Sequence, residues 1–194
     1  MDTLTSSMNR REAIRRIAML MGGAMVGARF ILSGETVPDK AAGADFSDAD
    51  KALLDEVGET ILPETDIPGA KAVGIGAFMA MMVNDCYSEA EHAAFKAGLA
   101  DIEARANAKY GKGFVACAPA ERSELATALD KEQVEHHASK AKDEPDHYFR
   151  MIKDLTTLGY FSSEIGCTKA VRYIEVPGSF NGDAPYTKGE RAWF

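Results

Sequence analysis

Between residues 47 and 159 the chain alternates between helix-periodic apolar runs and short segments rich in glycine, proline or charge. In the first run, four apolar residues share one face of a predicted helix: Leu53, Leu54, Val57 and Ile61. Ser47 and Asp50 have the spacing of a helix N-cap pair. Pro63 predicts that this helix has ended, because proline lacks the N–H that a helix interior needs.

Two further helices are predicted in the next part of the chain. A strongly apolar run from Ala72 to Asp85 predicts the second helix. Ser88 and Glu91 form a capping-box pattern that predicts the start of the third helix, and Gly111 predicts its end. Four apolar residues mark one face of this third helix: Phe95, Leu99, Ile102 and Ala106.

The remaining helical pattern is interrupted by charge. Pro119 stands where a first-turn proline begins a fourth helix. Residues 131–144 are strongly charged and predict a solvated helix end or a loop. Asp146 is the predicted cap of a fifth helix that ends at Gly159, and a short sixth segment is expected over residues 162–170.

These patterns predict an all-α fold. Period-two alternation first occurs at Tyr173–Val176. We therefore expect a compact helical domain of about five to six helices over residues 45–176. An N-terminal segment, residues 1–44, precedes it, and an extended C-terminal tail, residues 177–194, follows it.

The N-terminal segment has the pattern of an export signal. Arg10 and Arg11 precede an uncharged run from Ile17 to Ala28, which is shorter than the roughly 20 apolar residues of a membrane span. Adjacent arginines indicate the twin-arginine (Tat) route, which exports folded proteins. Cleavage sites of the small-x-small type end at Ala28 and Ala44. The alternative interpretation is an ordinary amphipathic first helix.

Composition excludes some functions. The 194 residues include 22 Lys and Arg against 30 Asp and Glu, which gives a net charge of −8 at pH 7. A nucleic-acid-binding protein needs a basic surface to displace counterions, so we expect no nucleic-acid partner. After removal of an export signal we expect an acidic protein in the periplasm.

Motifs for catalysis or cofactor binding are missing from the sequence. It contains no dinucleotide-binding glycine pattern, no Walker loop, no Gly-x-Ser-x-Gly and no Cys-x-x-Cys. His136 and His137 are adjacent and would diverge by about 100° on a helix, which makes a shared metal ion improbable. We predict no catalytic, cofactor-binding or metal-binding residue. The alternative is a free-standing periplasmic enzyme or metal-binding protein that uses His92, His147 or the carboxylates.

Three cysteines leave one disulfide possible. Cys86 lies at the end of the second predicted helix and Cys117 just before the fourth. The periplasm oxidises thiols, so we regard Cys86 and Cys117 as the disulfide candidate, with Cys86–Cys167 as the alternative pair. An unpaired Cys167 is more simply read as a small buried hydrophobic residue.

The tail combines helix-disfavouring residues with aromatic side chains. Pro177 opens a segment that contains four aromatic residues: Phe180, Tyr186, Trp193 and Phe194. Aromatic side chains anchor many protein interfaces, so we predict that these five residues contact a partner protein. The alternative is that the tail folds back over its own helices.

Taken together, these segments resemble the gluconate 2-dehydrogenase subunit 3 family. The helix that ends in Ile-Leu-Pro and the aromatic turn before Ser-Glu are the more specific pieces. The resemblance extends from Arg10 to the end of the chain. The segments that carry it are the twin-arginine start and residues 52–63, 66–70, 110–114, 159–166 and 173–180.

That resemblance implies a role without catalysis in this chain. Such proteins are small accessory subunits that pair with a large glucose-methanol-choline type subunit containing FAD, and electrons leave through a c-type cytochrome carrying haem c. The resemblance implies that this chain carries the export signal for its partner and supports the partner's maturation. Related complexes oxidise gluconate or glucose, or glucosides at the 3-position, and are periplasmic, associated with the inner membrane through the complex. Where related tails often have a cysteine, this chain has Asp183.

Overall fold

Five α-helices form the part of the chain that the structure describes. The structure is a computed structural model, and it describes residues 45–142, 144–176, 178–179 and 181–193. The helices are α1 (Asp48–Ile61), α2 (Ile75–Cys86), α3 (Glu89–Tyr110), α4 (Pro119–Ser139) and α5 (Tyr148–Ser162). Three short helical turns connect or follow them: Ala70–Val73, Phe114–Ala116 and the π-helical Gly166–Ala170. No strand occurs in these residues, so the all-α prediction is confirmed.

Local capping explains where several helices begin and end. Ser47 and Asp50 form a reciprocal capping box at α1, and Ser88 and Glu91 form one at α3. Each box satisfies backbone N–H groups that the first helical turn leaves free. Gly111 ends α3 in the left-handed conformation, at φ 69°. These boundaries agree with the sequence prediction because they depend on neighbouring residues alone.

The second helix starts later than predicted. A 3₁₀ turn occupies Ala70–Val73, and α2 begins only at Ile75. Gly74 separates the two with φ 66°, a conformation that favours glycine. In the charged stretch 131–144, the residues up to Ser139 continue α4, and Lys140 follows as its C-cap in an extended conformation.

Both ends of α5 differ from the prediction. His147, not Asp146, caps the helix, because its Nδ1 accepts the N–H of Phe149 at 3.2 Å. The helix also passes through Gly159 to Ser162. Gly159 is buried, and a Cβ added there would come within 2.5 Å of side chains of Ile75 and Phe78. Its role is therefore close packing against α2, not helix termination.

Helix α5 occupies the centre of the bundle, since it contacts each of the other four helices. Tyr160 on this helix is buried, and its hydroxyl donates to the carbonyl of Pro68 at 2.7 Å. Leu158 on the same helix is 52% exposed. The core is filled by large buried side chains from all five helices, among them Leu54, Ile75, Met79, Phe95, Ile102, Leu129 and Ile152.

Candidate partner interface

Acidic residues of α1 organise the loop that follows it. The backbone N–H of Gly76 donates to Asp55 Oδ1 at 2.7 Å, which satisfies a free donor in the first turn of α2. Glu59 accepts the backbone N–H groups of Glu64 at 2.7 Å and Lys71 at 2.9 Å. These carboxylates therefore hold residues 62–76 in place.

Glu56 connects three elements through charge. Its side chain is mostly buried and forms ion pairs with Arg122 of α4 and with Lys71. Burial alone would raise the pKa of Glu56, but the hydrogen bonds and charges of Lys71 and Arg122 outweigh it and lower the pKa. The carboxylate is thus ionised, and its two ion pairs stabilise the fold. It is not available as a general acid near neutral pH.

A second polar network joins α3, α4 and α5. The Tyr148 hydroxyl donates to Asp101, and Arg105 bridges Asp101 at 2.7 Å and Glu132 at 2.6 Å. Burial, together with the hydrogen bond to Asp101, raises the pKa of the Tyr148 phenol far above its usual range. The phenol stays protonated, and the network joins the three helices.

The histidines do not assemble a metal site. His92 packs edge-on against the buried ring of Phe46, with 5.6 Å between centroids, and His147 caps α5. Within the residues that the structure describes, no group of three or more His, Cys, Asp or Glu side chains could hold a metal ion. A cleft between α1 and α4 is lined by Pro63, Pro119 and Arg122. Glu59 also lines it, and its carboxylate accepts backbone N–H groups of the loop after α1.

Residues 173–193, which comprise the segment before the tail and the tail itself, present the largest set of exposed apolar side chains among the described residues. Val176 is 78% exposed and Tyr186 is 76% exposed. Trp193 and two further residues are about half exposed: Tyr173 and Ile174. Pro177, Phe180 and Phe194 were also predicted to contact a partner, but they lie outside the described residues. Tyr186 and Trp193 do not complete the domain's own core.

Although its side chains are exposed, the tail is fastened to the domain. Arg191 Nη1 donates to the carbonyls of Thr168 at 2.8 Å, Lys169 at 2.7 Å and Val171 at 3.4 Å. The N–H of Arg172 donates to the carbonyl of Ala192 at 2.8 Å, within a single parallel bridge between residues 172 and 193. We call the contacts between residues 168–172 and 190–193 the tail closure.

Arg172 adds two side-chain contacts to the tail closure. Its guanidinium carbon lies 4.2 Å from the centre of the Trp193 ring, a cation–π arrangement. Its Nη2 is 3.5 Å from Glu190 Oε2. The sequence pattern indicated Trp193 but not Arg172, Glu190 or Arg191. Arg191 lies close to Trp193 in the sequence, but Arg172 lies about twenty residues away from both. The contacts of these three residues form only in the folded chain.

The cysteines are separate thiols in the structure. Cys86 is exposed and precedes the start of α3, whereas Cys117 is buried and donates to the carbonyl of Gly113 at 3.5 Å. The neighbouring N–H of Phe114 donates to Glu103, which lies about 20 Å along α3 from its start at 1.5 Å per residue. A disulfide needs Cα atoms within about 7 Å, so this arrangement disfavours the Cys86–Cys117 pair.

The export-signal residues Arg10 and Arg11 lie outside the described residues. Across the part of the chain that is described, no helix combines the length and apolar character needed to cross a membrane.

Comparison with known families identifies the class of protein. Residues 48–178 match the family model described as gluconate 2-dehydrogenase subunit 3. The match covers α1 to α5 and the start of the tail. The chain therefore belongs to the gluconate 2-dehydrogenase subunit 3 family, as the resemblance predicted. Neither the curated proteins nor the solved structures include a significant match to the chain.

Proposed function

We propose that this chain is the non-catalytic small subunit of a periplasmic, FAD-dependent sugar dehydrogenase complex. In this role it escorts the catalytic flavoprotein through the Tat route and supports that subunit's maturation and stability. The catalytic partner is a large glucose-methanol-choline type subunit that holds FAD, and a c-type cytochrome with haem c accepts the electrons. The sugar substrate is of the gluconate, glucose or glucoside 3-dehydrogenase type.

The observation that carries this proposal is the exposed apolar tail on a closed helical domain. Val176, directly before the tail, is 78% exposed and Tyr186 within it is 76% exposed, and the family is that of a dehydrogenase subunit. The carboxylates Glu56 and Asp101 are held in structural networks with arginines. A domain of this kind is suited to binding another protein.

The N-terminal segment and the C-terminal tail have complementary roles in the proposed export of this chain with its partner. Arg10 and Arg11 supply the twin-arginine address, and the tail supplies the contact that would carry a folded flavoprotein along. The complex would then reach the periplasm loaded with FAD and lie at the inner membrane through its cytochrome. The translocase is thus a transient partner of this chain.

Gentle purification of the native protein tests the proposal. We expect a second, larger subunit to co-purify, with the visible absorbance of bound flavin, because the flavin chemistry belongs to the catalytic subunit. The isolated small subunit should carry no chromophore. A chain that purifies alone from its own cells, or that oxidises a sugar by itself, would contradict the proposal and favour a free-standing enzyme.

A further inference from the structure

The tail closure turns a long exposed segment into a loop with fixed ends. Residues 168–172 lie in the π-helical turn Gly166–Ala170 and just after it, whereas residues 190–193 lie some twenty positions further on. Between them, the described residues from 173 to 189 are exposed, Tyr173, Val176 and Tyr186 among them. The loop is therefore held at its two ends.

Arg191 supplies the strongest part of this closure. The last carbonyls of a helical turn have no partner within the turn, and a guanidinium placed there satisfies them with charge-assisted hydrogen bonds. Arg191 reaches the carbonyls of Thr168, Lys169 and Val171 at the end of the π-helical turn. The guanidinium of Arg172 adds a cation–π contact with the Trp193 ring.

We propose that Arg191 and Arg172 are positioning residues that fasten the tail into a preformed surface for the catalytic flavoprotein subunit. This inference rests on the proposed function for the identity of the partner. A free tail would lose its conformational freedom on binding, and each immobilised side chain would add to that cost. A closed loop has lost much of this freedom already, so the partner binds more tightly.

Trp193 is the only tryptophan in the chain, so its fluorescence reports on the closure directly. The experiment uses the full-length chain with three substitutions: Arg191→Gln, Arg191→Lys and, as a control, Arg150→Gln. Arg150 lies on α5 and pairs with Asp154 across 3.8 Å, so its substitution removes the same charge away from the tail. Each variant is measured for Trp193 anisotropy, amide exchange in residues 173–193, thermal stability and affinity for the flavoprotein that co-purifies with the unaltered chain.

We expect Arg191→Gln to lower the Trp193 anisotropy, to speed amide exchange in the tail and to weaken flavoprotein binding about tenfold, while the helical domain melts as before. Lysine retains the charge and three donors, so Arg191→Lys should recover part of the affinity. Arg150→Gln should match the unaltered chain in all four measurements.

Three results would overturn the inference, and a fourth would overturn the proposed function. If Arg191→Gln leaves the anisotropy and exchange unchanged, Arg191 does not fasten the tail. If the tail opens but the flavoprotein binds equally well, the closure does not prepare the binding surface. If the unaltered chain captures no flavoprotein, the proposed function fails instead. If the unaltered chain buries its tail in a second copy, seen as an Arg191-dependent dimer by size-exclusion chromatography, the choice of partner is wrong.

Discussion

Glu56 of α1 and Arg122 of α4 form an ion pair across 66 positions of sequence, inside the domain where both side chains are mostly buried. Arg122 also donates to the backbone carbonyls of Cys117 at 2.9 Å and Val115 at 3.0 Å. One arginine thus ties the turn before α4 to the first helix. The pair stabilises the end of the bundle that the loop after α1 covers.

Replacing Glu56 with Gln should destabilise the domain by about 2 kcal/mol, because Arg122 would keep its charge in a partly buried site without its counter-ion. Urea unfolding at pH 7 measures this loss. Asp154→Asn is the matched control, since Asp154 is 68% exposed and its pair with Arg150 should contribute little. Equal stability of the two variants would contradict the role given to Glu56.

The same pair predicts a dependence on acidity. The folded pKa of Glu56 is lowered, so its stabilising effect is complete above the unfolded value of about 4.3 and is lost as the pH falls through the folded pKa. Below that range the unaltered protein and Glu56→Gln should converge in stability. A constant difference down to the lowest measurable pH would contradict this prediction.

His147 predicts a second pH effect, closer to neutrality. Burial, and next the charge of His136, lower the pKa of His147, and its Nδ1 must be unprotonated to cap α5. The unfolded chain therefore binds protons more readily, and the cap's contribution is complete above about pH 6.5 and lost as the pH falls through the folded pKa. We expect His147→Asn, which retains a capping acceptor, to flatten the stability profile in this range.

The control for His147→Asn is His137→Asn, because His137 is a half-exposed side chain on the last turn of α4. Denaturant unfolding at a series of pH values between 8 and 5 compares the two. A His137→Asn profile as flat as that of His147→Asn would show that the cap is not the source of the dependence.

Ending the chain after Val176 should leave the helical content and melting temperature nearly unchanged but abolish binding of the flavoprotein. The reason is that Tyr186 and Trp193 expose most of their surface and contribute little to the core. Circular dichroism and co-purification measure the two effects. Unfolding of the shortened chain would show that the tail completes its own domain, and intact binding would remove the tail from the interface.

The double substitution of Arg10 and Arg11 by Lys should leave both this chain and its flavoprotein in the cytoplasm. Lysine keeps the charge but lacks the planar guanidinium group that a receptor can recognise in a fixed geometry. Cell fractionation measures the distribution of both subunits. The double substitution of Arg15 and Arg16 by Lys is the control, and normal export of the flavoprotein with Arg10 and Arg11 replaced would exclude the escort role.

Cys86 should react with iodoacetamide in the folded protein much faster than Cys117. Cys86 is exposed, whereas burial raises the pKa of the Cys117 thiol and so lowers its thiolate fraction. Mass spectrometry of a non-reduced digest follows both sites and should find no peptide that joins them. A peptide in which Cys86 and Cys117 are joined would support the disulfide that the sequence suggested. It would also show that the two cysteines lie closer together than the structure places them.

The sequence alone predicted the features that depend on residues close together in the chain. The capping boxes at Ser47 and Ser88 and the glycine after Tyr110 could be recognised because their partners lie within a few residues. The family could be recognised too, because its motifs are continuous segments. His147 as a cap and the late start of α2 were missed, since histidine caps are rare and Gly74 acts through a backbone angle that composition does not show.

Tertiary structure decided the features that depend on distant residues. Gly159 has the local pattern of a helix end, but α5 continues through it, and the missing Cβ allows close packing against Ile75 and Phe78. Local periodicity could not place α5 at the centre of the bundle. In the tail, the large aromatic side chain of Trp193 was enough to predict an interface residue. Its fixed position arises from the contacts of residues 190–193 with residues 168–172, because hydrogen bonds across twenty residues leave no pattern in the intervening sequence.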